Sequence, residues 1–335
     1  MWAYEYSEAI GLDHLRKVER PDPTPGHHQI LLRMRAFALN YRDLAIANGH
    51  YHVGVSPPLV PLSDGAGEVI EVGSAVTRFH LGDLACPTYL PAWISGPARA
   101  EIGQRRLGGP SDGVLAEYMC IDEAEAVRAP AHLDAAEAAT LPVTAVTAWH
   151  QLYAVGCLSP GETLLVQGAG GVSTAALQLA QAGGTRVIAL LRNEKHADRL
   201  RALGASAIVV ADAKDWPQQI TTFNGGVGAD AVVNVAGGRT LNPCIAALRV
   251  GGRVHLVGYA DDTNASLDIF TAIRHGVTIH IATAGNRDSF EAMVRAMEAN
   301  AIHPPVAAAF PVAQFRDALD YLARGGHLGK VLLMD

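Results

Sequence analysis

Short apolar runs bounded by glycine, proline and aspartate mark the first 130 residues of the chain. The clearest runs cover residues 30–40, 65–73, 83–90 and 113–121. Runs of this length and composition predict β-strands. The segment 91–112 is rich in glycine, proline and arginine, which predicts an irregular loop. We therefore expect the chain to begin in a β-rich domain.

The pattern changes near residue 130, where strands begin to alternate with helices. Asp134 and Glu137 have the spacing of a capping box, and Pro142 should break or kink the helix that they begin. Candidate strands follow at 163–167, 186–191, 207–210, 230–235, 253–258 and 277–282. Candidate helices lie at 172–183, 194–203, 214–222, 239–248, 267–275, 288–299 and 312–324, before a last strand at 330–335. Strands joined by crossover helices predict an α/β fold with a doubly wound parallel sheet.

A glycine-rich turn, VQGAGGVSTAA, joins the first of these strands to its helix. Gly168 permits a tight turn, and Gly170 lets the backbone approach a pyrophosphate. Gly171 and Val172 begin a helix whose free N–H groups face the phosphates. Ser173 takes the sixth position of G-x-G-x-x-G, where a small residue is needed. The context predicts dinucleotide binding; the alternative is a glycine-rich turn without a ligand.

The end of the next strand predicts which dinucleotide binds. An NAD enzyme usually has Asp or Glu there, whereas this chain has Leu191. Arg192 and Asn193 follow directly, and Lys195 lies nearby. A guanidinium beside the ribose favours a 2′-phosphate, so we expect NADP(H) rather than NAD(H). The alternative is that Arg192 is an ordinary surface residue.

Composition and charge exclude several classes of protein. The chain has 335 residues, of which 49% are hydrophobic and 18% charged, as in a folded protein of two ordinary domains. We expect no membrane span and no secretory signal, because no apolar run has the required length or flanks. A net charge of −7 without a basic patch argues against a nucleic-acid partner.

The cysteines and histidines give no pattern of a metal site. The four cysteines are widely spaced, with no C-x-x-C pair: Cys86, Cys120, Cys157 and Cys244. We expect reduced thiols and a cytoplasmic location rather than disulfides or structural zinc. His50 and His52 could share the face of a strand, but no third ligand lies near them, so no metal is predicted.

The order of motifs along the chain resembles one superfamily. The motifs are ALNYRD (38–43), PLSDGAGEVIEVG (61–73), LPVTAVTAW (141–149), GAGGVS (168–173), GGRVHLVG (251–258) and GHLGKVLL (326–333). Together they resemble the medium-chain dehydrogenases/reductases, in particular the zinc-independent quinone oxidoreductases, enoyl reductases and alcohol dehydrogenase-like proteins. The resemblance implies a GroES-like substrate domain at 1–128 and 286–335 and a Rossmann NADP-binding domain at 129–285. Cofactor and substrate would then meet in the cleft between these domains.

The positions of zinc ligands in the zinc-dependent members are occupied differently here. Those members use a Cys in the first motif, a His-Glu pair and a later Cys. This chain has Asn40 at the first position and Ser63 with Asp64 at the pair, and LPVTAVTAW contains no Cys. Because zinc prefers nitrogen and sulfur ligands, the resemblance implies an enzyme without zinc.

The resemblance also implies roles for polar side chains of the first domain. Tyr41 is expected to be a proton donor near the nicotinamide, and Asn40 to orient substrate or the nicotinamide ribose. Asp43 is expected to orient Tyr41 or Arg42, and Asp64 to bond the ribose or a substrate group. The alternatives are that Tyr41 only shapes the rim of the pocket and that Asp64 bonds its own backbone in a turn.

Further residues resemble cofactor and pocket positions. Thr144 resembles the contact to the carboxamide, or else it bonds a helix carbonyl. Gly258 and Lys330 resemble cofactor contacts, with Lys330 on the NADP phosphate. Three aromatic residues should shape a large apolar substrate pocket, unless they are core residues: Tyr51, Tyr89 and Trp93.

The absence of zinc ligands bears on the reaction. Negative charge must then be stabilised by hydrogen bonds or delocalised in the substrate, as in an enone or quinone. We therefore expect hydride transfer from NADPH to an activated C=C bond, in a metabolite such as a polyketide. The alternatives are a zinc-free alcohol dehydrogenase or carbonyl reductase and an NADPH-binding protein with a structural or regulatory role. The apolar strand VTIHIATAG would be an exposed edge, and in relatives it pairs across a homodimer.

Overall fold

The computed structural model describes residues 1–211, 215–260, 262–281 and 284–335. The chain divides into two compact units, Met1–Val146 with Ala284–Asp335, and Thr147–Thr283. The first unit therefore contains both ends of the chain. The domain boundaries expected from the sequence, 128 and 285, differ from this division mainly in the stretch 129–146.

The first unit opens with strands β1 to β7 and the short helix α1. The strands are β1 (Trp2–Tyr6), β2 (Leu15–Glu19), β3 (Gln29–Leu39), β4 (Asp64–Val72), β5 (Leu84–Pro87), β6 (Tyr118–Asp122) and β7 (Ala126–Arg128). Helix α1 (Tyr41–Ala47) directly follows β3. Asn40 and Asp43 form a capping box at its start, in which the Asn40 N–H donates to Asp43 Oδ2 at 2.7 Å. This capping box turns the chain sharply from strand into helix.

The helical stretch predicted from Asp134 is interrupted at the predicted proline. Helix α2 (Ala135–Ala138) begins with the expected capping box, since the Glu137 N–H donates to Asp134 Oδ1 at 2.9 Å. A π-helical turn, Leu141–Ala145, contains Pro142 and leads into α3 (Val146–Trp149). A second π-helical turn, His150–Val155, follows. Such turns are rare and occur often at functional sites.

The second unit is a parallel α/β sheet. Its strands are β8 (Thr163–Gln167), β9 (Arg186–Leu191), β10 (Ala207–Val210), β11 (Ala229–Asn234), β12 (Leu248–Leu256) and β13 (Thr278–Ile281). Its helices are α4 (Gly171–Ala182), α5 (Ala197–Ala202), α6 (Trp216–Phe223), α7 (Leu241–Ala246) and α8 (Ile269–His275). The described strands pair in the order β10-β9-β8-β11-β12-β13, all in parallel. This order is that of a doubly wound Rossmann sheet, which confirms the predicted fold class.

Three of the six predicted strands of this sheet match the observed bounds. The strands predicted at 163–167, 186–191 and 207–210 have these bounds in the structure. Residue 214, the start of the helix predicted at 214–222, and residue 282, the end of the strand predicted at 277–282, lie outside the described residues. None of the helices in the described ranges combines the length and the apolar sequence that a bilayer crossing requires.

The chain returns to the first unit through α9 (Arg287–Asn300), β14 (Val306–Pro311), α10 (Phe315–Arg324) and β15 (Lys330–Met334). The sheet of this unit has the order β14-β15-β3-β4-β5-β7, and β6 also pairs with β3. Strand β15 runs antiparallel to β3, with Val331 opposite Leu39. This register places Lys330 beside the end of β3, where α1 begins. Large buried side chains such as Phe37 and Phe315 belong to the core of this unit.

Candidate active site

Charged side chains are buried at the junction of β3, α1, β4 and β15 in the first unit. Their exposed fractions are 0% for Asp64, 3% for Asp43, 5% for Lys330 and 6% for Arg42. Asp64 begins β4 opposite Ala38, and Lys330 begins β15. Two cations and two carboxylates therefore meet in the interior. Buried charges are tolerated only when they are paired and hydrogen-bonded, so each of these groups requires its neighbours.

The Lys330 ammonium lies in a cage of oxygen atoms. Its Nζ donates to the carbonyl of Leu39 at 2.8 Å, to Asn40 Oδ1 at 2.6 Å and to Asp64 Oδ2 at 3.3 Å. The other oxygen of Asp64 accepts from the Ser63 hydroxyl at 3.2 Å. An ammonium has three protons, and three oxygens match them here. The role expected for Lys330 on a cofactor phosphate does not fit this environment, because no ammonium proton is left for the phosphate.

Burial acts on both partners of this ion pair. It lowers the pKa of Lys330, against the attraction of Asp64 and Asp43. It raises the pKa of Asp64, against the nearby Lys330 ammonium and the hydrogen bonds from its neighbours. Since neither group reaches water, each charge depends on the other.

The Arg42 guanidinium connects this cluster to two tyrosines. It donates to Asp43 Oδ1 at 3.2 Å and to the Gly109 carbonyl at 3.1 Å. It also lies 5.1 Å from the ring centre of Tyr51 and 5.0 Å from that of Tyr89. The two tyrosine hydroxyls share a hydrogen bond of 3.2 Å, and Arg42 Nε is 3.5 Å from the Tyr51 hydroxyl. The arrangement holds two phenols against a fixed positive charge.

The two phenols differ in acidity. Burial would raise the pKa of Tyr51, but the Arg42 guanidinium, its hydrogen bond, the Tyr89 hydroxyl and Arg106 outweigh burial and lower it. Burial raises the pKa of the more deeply enclosed Tyr89. The half-buried Tyr51 is therefore the more acidic phenol of the pair, which is the property that a proton donor needs.

The residues predicted in ALNYRD have different environments. Tyr41 is 46% exposed at the first position of α1, whereas Asn40 is buried. The Asn40 amide nitrogen donates to the Ser63 hydroxyl at 3.4 Å. Of the two partners expected for Asp43, the structure places Arg42 in contact with it. The donor role of Tyr41 stays a prediction.

The loop predicted at 91–112 contributes Trp93 and Ile102 to a small apolar cluster. Tyr89 and Trp93 are 3% and 6% exposed and cluster with Leu90 and Ile102. The Trp93 indole N–H donates to the Gly96 carbonyl at 2.9 Å. This packing explains the burial of Trp93 without a ligand, as expected for the alternative that Trp93 is a core residue. The role of Trp93 in a substrate pocket stays a prediction.

The glycine turn of the second unit has room for a phosphate. Gly168 has φ +74°, and a Cβ added at Gly168 or Gly170 would meet no atom within 4 Å. Helix α4 begins at Gly171, next to this open space. The Ser173 hydroxyl donates to the Gln167 carbonyl at 2.5 Å, which ties the helix to β8. These residues fit the pyrophosphate of a dinucleotide.

A pocket of about 520 Å³ lies at the ends of β9 and β10 in the same unit. Its lining consists of Arg192, Asn193, Glu194, Ile208, Val209, Val210 and Gln219. The Asn193 side chain accepts a hydrogen bond from the Lys195 backbone N–H at 3.1 Å and so caps the turn after β9. The exposed Arg192 suits a 2′-phosphate, while the Glu194 carboxylate in the same pocket would oppose one.

Two other predicted cofactor residues have structural partners. The Thr144 hydroxyl donates to the Thr140 carbonyl at 3.0 Å, within the π-helical segment. A Cβ at Gly258 would lie 2.0 Å from the Val235 carbonyl oxygen, so only glycine fits there. These contacts match the alternative given for Thr144, and the cofactor roles of both residues stay predictions.

Zinc does not fit the residues at the expected ligand positions. Asn40, Ser63 and Asp64 offer only oxygen atoms, and the Lys330 ammonium is already bonded to two of these side chains. A second cation in this cage would be repelled, and zinc prefers nitrogen and sulfur ligands. Among the residues that the structure describes, His, Cys, Asp and Glu form no group of three or more that could hold a metal ion.

The sequence did not single out Arg42 as the cation beside the tyrosines, nor Arg106 as a second cation that acts on them. Their partners Tyr51 and Tyr89 come from other segments, so no local spacing reveals them. The one signal for Arg42 in the sequence was its position, as a charged residue between Tyr41 and Asp43 just after a predicted strand.

Comparison with known proteins gives matches to both units. The model of the alcohol dehydrogenase GroES-like domain matches residues 26–131, and that of the zinc-binding dehydrogenase matches 171–299. A zinc-type alcohol dehydrogenase-like protein of Schizosaccharomyces pombe is 33% identical, over 98% of this chain and 97% of its own.

Solved structures agree with these matches. A crystal structure of an NAD-dependent alcohol dehydrogenase has a TM-score of 0.90 and 29% identity, and the match covers 100% of both chains. The cobalt- and zinc-bound thermostable alcohol dehydrogenase from Pyrobaculum aerophilum has a TM-score of 0.85 and 30% identity, with 100% of this chain and 99% of that one covered. The chain therefore belongs to the medium-chain dehydrogenase/reductase superfamily, as a nicotinamide-dependent oxidoreductase of the alcohol dehydrogenase and quinone oxidoreductase kind.

Proposed function

We propose that this protein is an NADPH-dependent reductase of activated C=C bonds, such as those of enones and quinones, and that it works without zinc. The observation that carries the proposal is the Tyr51 phenol held between the Arg42 guanidinium and the Tyr89 hydroxyl. This arrangement provides an acidic proton beside a fixed positive charge. Reduction of a conjugated C=C bond needs such a proton and only modest stabilisation of negative charge.

The proposed reaction divides the work between cofactor and protein. Bound NADPH would supply a hydride to the β-carbon of the acceptor, and the C=C electron pair would then become an enolate. Tyr51 would give its phenolic proton to this enolate, with cleavage of the O–H bond. The resulting phenolate is stabilised by Arg42 and by the Tyr89 hydroxyl, and it regains a proton from solvent. Tyr51 thus replaces Tyr41 as the first candidate for the proton donor.

The preference for NADPH rests on the end of β9. Arg192 places a guanidinium in the pocket at the ends of β9 and β10, where a 2′-phosphate would gain a charge-assisted contact. Two observations favour NADH instead: the Glu194 carboxylate lines the same pocket, and one similar solved structure is that of an NAD-dependent alcohol dehydrogenase. We give more weight to Arg192, because no acid stands at the tip of β9 itself.

We propose activity without zinc because of the environment of Lys330. A buried ammonium bonded to Asn40 and Asp64 already provides the positive charge of this cage. Carbonyl reduction is the second candidate, because the relatives are named alcohol dehydrogenases. Tyr51 could protonate an alkoxide as well as an enolate. Only activity measured with different acceptors therefore distinguishes carbonyl reduction from C=C reduction.

A homodimer is also part of the proposal. Helix α8 and the edge strand β13 carry exposed apolar side chains: Ile269 at 57%, Phe270 at 82%, Ile273 at 71% and Ile281 at 74% exposed. A second copy of the chain would cover this surface by pairing along β13. None of the cysteines in the described ranges is part of a disulfide, which suits the reducing cytoplasm that we propose as its location.

The test is an acceptor panel with purified protein. Cyclohexenone, a benzoquinone and aliphatic aldehydes are offered with NADPH and with NADH, before and after treatment with a chelator. We expect NADPH oxidation with the enone or the quinone, unchanged by the chelator. Turnover only with aldehydes would support carbonyl reduction instead. Tight NADPH binding without any turnover would support a structural or regulatory protein.

A further inference from the structure

A buried histidine of the second unit has no part in the proposed reaction. His255 lies on β12 and is 1% exposed. Its imidazole stacks on that of His280, which is opposite it on β13, with ring centres 5.2 Å apart and ring planes inclined by 11°. Histidine is the side chain whose charge changes near neutral pH, so His255 is a candidate for a response to acid.

The surroundings of His255 fit only the neutral imidazole. Its Nδ1 lies 3.4 Å from Oε1 of the fully buried Gln151, in the π-helical turn His150–Val155. Its Nε2 has no hydrogen-bond partner among the described residues. A Cβ at Gly156 would lie 2.7 Å from this Nε2, so the chain packs directly against it. A charged imidazole has a proton on each nitrogen, and one of these protons would be buried here without an acceptor.

The charged groups around His255 also disfavour its protonation. Burial lowers the pKa of His255 to about 3, and His280 and Arg253 add to this effect. Arg253 lies on β12 itself and His280 on β13. The neighbours from β11 and from the π-helical turn are the uncharged Val233 and Gln151. His255 therefore stays neutral while the sheet is intact, and it gains a proton below about pH 6.5 only when it reaches water.

Strand β13 separates the His255 ring from water on one side. Among the described strands, β13 pairs only with β12, whereas β12 is held on both sides, by β11 and β13. The side chains of β13 are exposed or half-buried, and Ile281 is 74% exposed. Because an edge strand has the fewest hydrogen bonds to break, β13 is the strand that opens at the lowest cost. Its opening removes the His280 ring from His255.

We propose that the stacked His255–His280 pair is an acid-sensitive latch for the edge strand: β13 stays paired with β12 while His255 is neutral, and uptake of a proton by His255 releases β13 from the sheet. Helix α8 and β13 also carry the exposed apolar side chains of the surface assigned above to a homodimer. Acid would therefore act on an element of that surface. This consequence rests on the proposed homodimer, whereas the release of β13 does not.

Hydrogen exchange of the full chain, followed by mass spectrometry, tests the latch. The opened state has a histidine pKa of about 6.5, far above that of the closed state, so it binds more protons as the pH falls. Protection of the β13 amides, corrected for the intrinsic exchange rate, should therefore be about thirtyfold lower at pH 5 than at pH 7.5. Protection of β8, in the middle of the sheet, should stay the same.

Two variants assign this response to its residue. His255→Asn keeps a polar group facing Gln151 but cannot take up a proton, so its β13 protection should be the same at both pH values. His275→Asn is the matched control, because it removes a histidine at the end of α8, close in sequence to β13. It should keep the full response.

Three results would overturn the proposal. If β13 protection in the unaltered protein does not change with pH, there is no latch. If β8 and β13 lose protection equally, acid unfolds the whole unit rather than its edge. If the response persists in His255→Asn, another group is titrating. None of these measurements needs a cofactor or an acceptor, so the latch and the proposed reaction can fail separately.

A second measurement remains decisive if His255→Asn does not fold. NMR of protein with isotope-labelled histidine follows the protonation of each ring, and His280→Gln identifies the His255 signals by the loss of the stacked neighbour. We expect the His255 ring to remain neutral in the folded protein down to about pH 5. A His255 ring that titrates near pH 6.5 without opening of β13 would show that the closed sheet accepts the proton, and it would overturn the latch.

Discussion

At the scale of single residues, environment rather than residue type distinguishes the two candidate tyrosines. Tyr41 is half-exposed at the start of α1, whereas Tyr51 lies against Arg42 and shares a hydrogen bond with Tyr89. The sequence favoured Tyr41 because of its motif. Arg42 is nine residues from Tyr51 and Tyr89 is 38 residues away, and neither separation is a spacing of a helix or strand that predicts the contact.

Replacing Tyr51 by Phe removes the proposed donor while keeping the ring beside Arg42. We expect kcat for enone or quinone reduction to fall about 10²–10⁴-fold, as is typical for loss of a general acid. The Kd for NADPH, measured by fluorescence titration, should not change. Tyr41→Phe should lower kcat by less than about threefold, or ~0.7 kcal/mol. Tyr118→Phe, on β6, is the neutral control. A larger effect at position 41 than at position 51 would return the role to Tyr41.

The pH dependence of kcat should report the phenol of Tyr51. A donor must be protonated, so kcat should be constant at low pH and fall as pH rises through the lowered pKa of Tyr51. The charged or titratable groups around it are Arg42, Tyr89, Arg106 and His52. Arg106→Gln removes one cation that lowers this pKa, so the fall should move to higher pH.

The control for this shift is Arg99→Gln, which removes an exposed arginine of the same loop and should leave the profile in place. The residual kcat of Tyr51→Phe should show no decrease at high pH, because the titrating phenol is absent. A profile that does not respond to Arg106→Gln and persists in Tyr51→Phe would assign the titration to another group.

At the scale of elements, the parallel sheet was the most predictable part of the chain. Its strands are continuous apolar runs separated by helical patterns, and both signals are local. Helix α1 was missed, although Asn40 and Asp43 have the spacing of a capping box, because seven residues give too little periodicity. The position of β15 next to β3 could not be predicted either, since Lys330 and Leu39 are 291 residues apart.

The tip of β9 provides the test of cofactor preference. Arg192→Ala should raise the Kd for NADPH about tenfold, or ~1.4 kcal/mol, while the Kd for NADH changes little, because only NADPH carries the 2′-phosphate. Isothermal titration with both cofactors measures the ratio. Arg186→Ala, at the opposite end of the same strand, is the matched control. An equal loss of affinity for both cofactors would refute a phosphate contact at Arg192.

At the scale of the whole molecule, the sequence predicted the superfamily and both domain types, since their motifs are spread along the entire chain. The polar cluster was predicted only in part. Asn40, Asp43 and Asp64 were named, but their common dependence on Lys330 and Arg42 arises from strand pairing and burial. Such non-local contacts leave no spacing pattern in a single sequence.

The proposed homodimer can be tested on the exposed face of α8. Phe270→Glu places a charge on a side chain that is 82% exposed, so it should not disturb the fold, yet it should oppose burial in an interface. Analytical ultracentrifugation should show a dimer for the unaltered protein and a shift towards monomer for this variant. Phe223→Glu, on α6 of the same unit, should remain dimeric. A monomer in every case would refute the dimer.

In the proposed reaction, hydride is delivered to the carbon β to an activating group, without zinc. The most direct measurement is NMR of the product formed from an enone and NADPH deuterated at the transferred position of C4, with protein freed of metal by a chelator. We expect a saturated ketone with deuterium on its β-carbon, formed at the rate of untreated protein. Deuterium on the carbinol carbon of an allylic alcohol, or turnover that returns only when zinc is added, would contradict it.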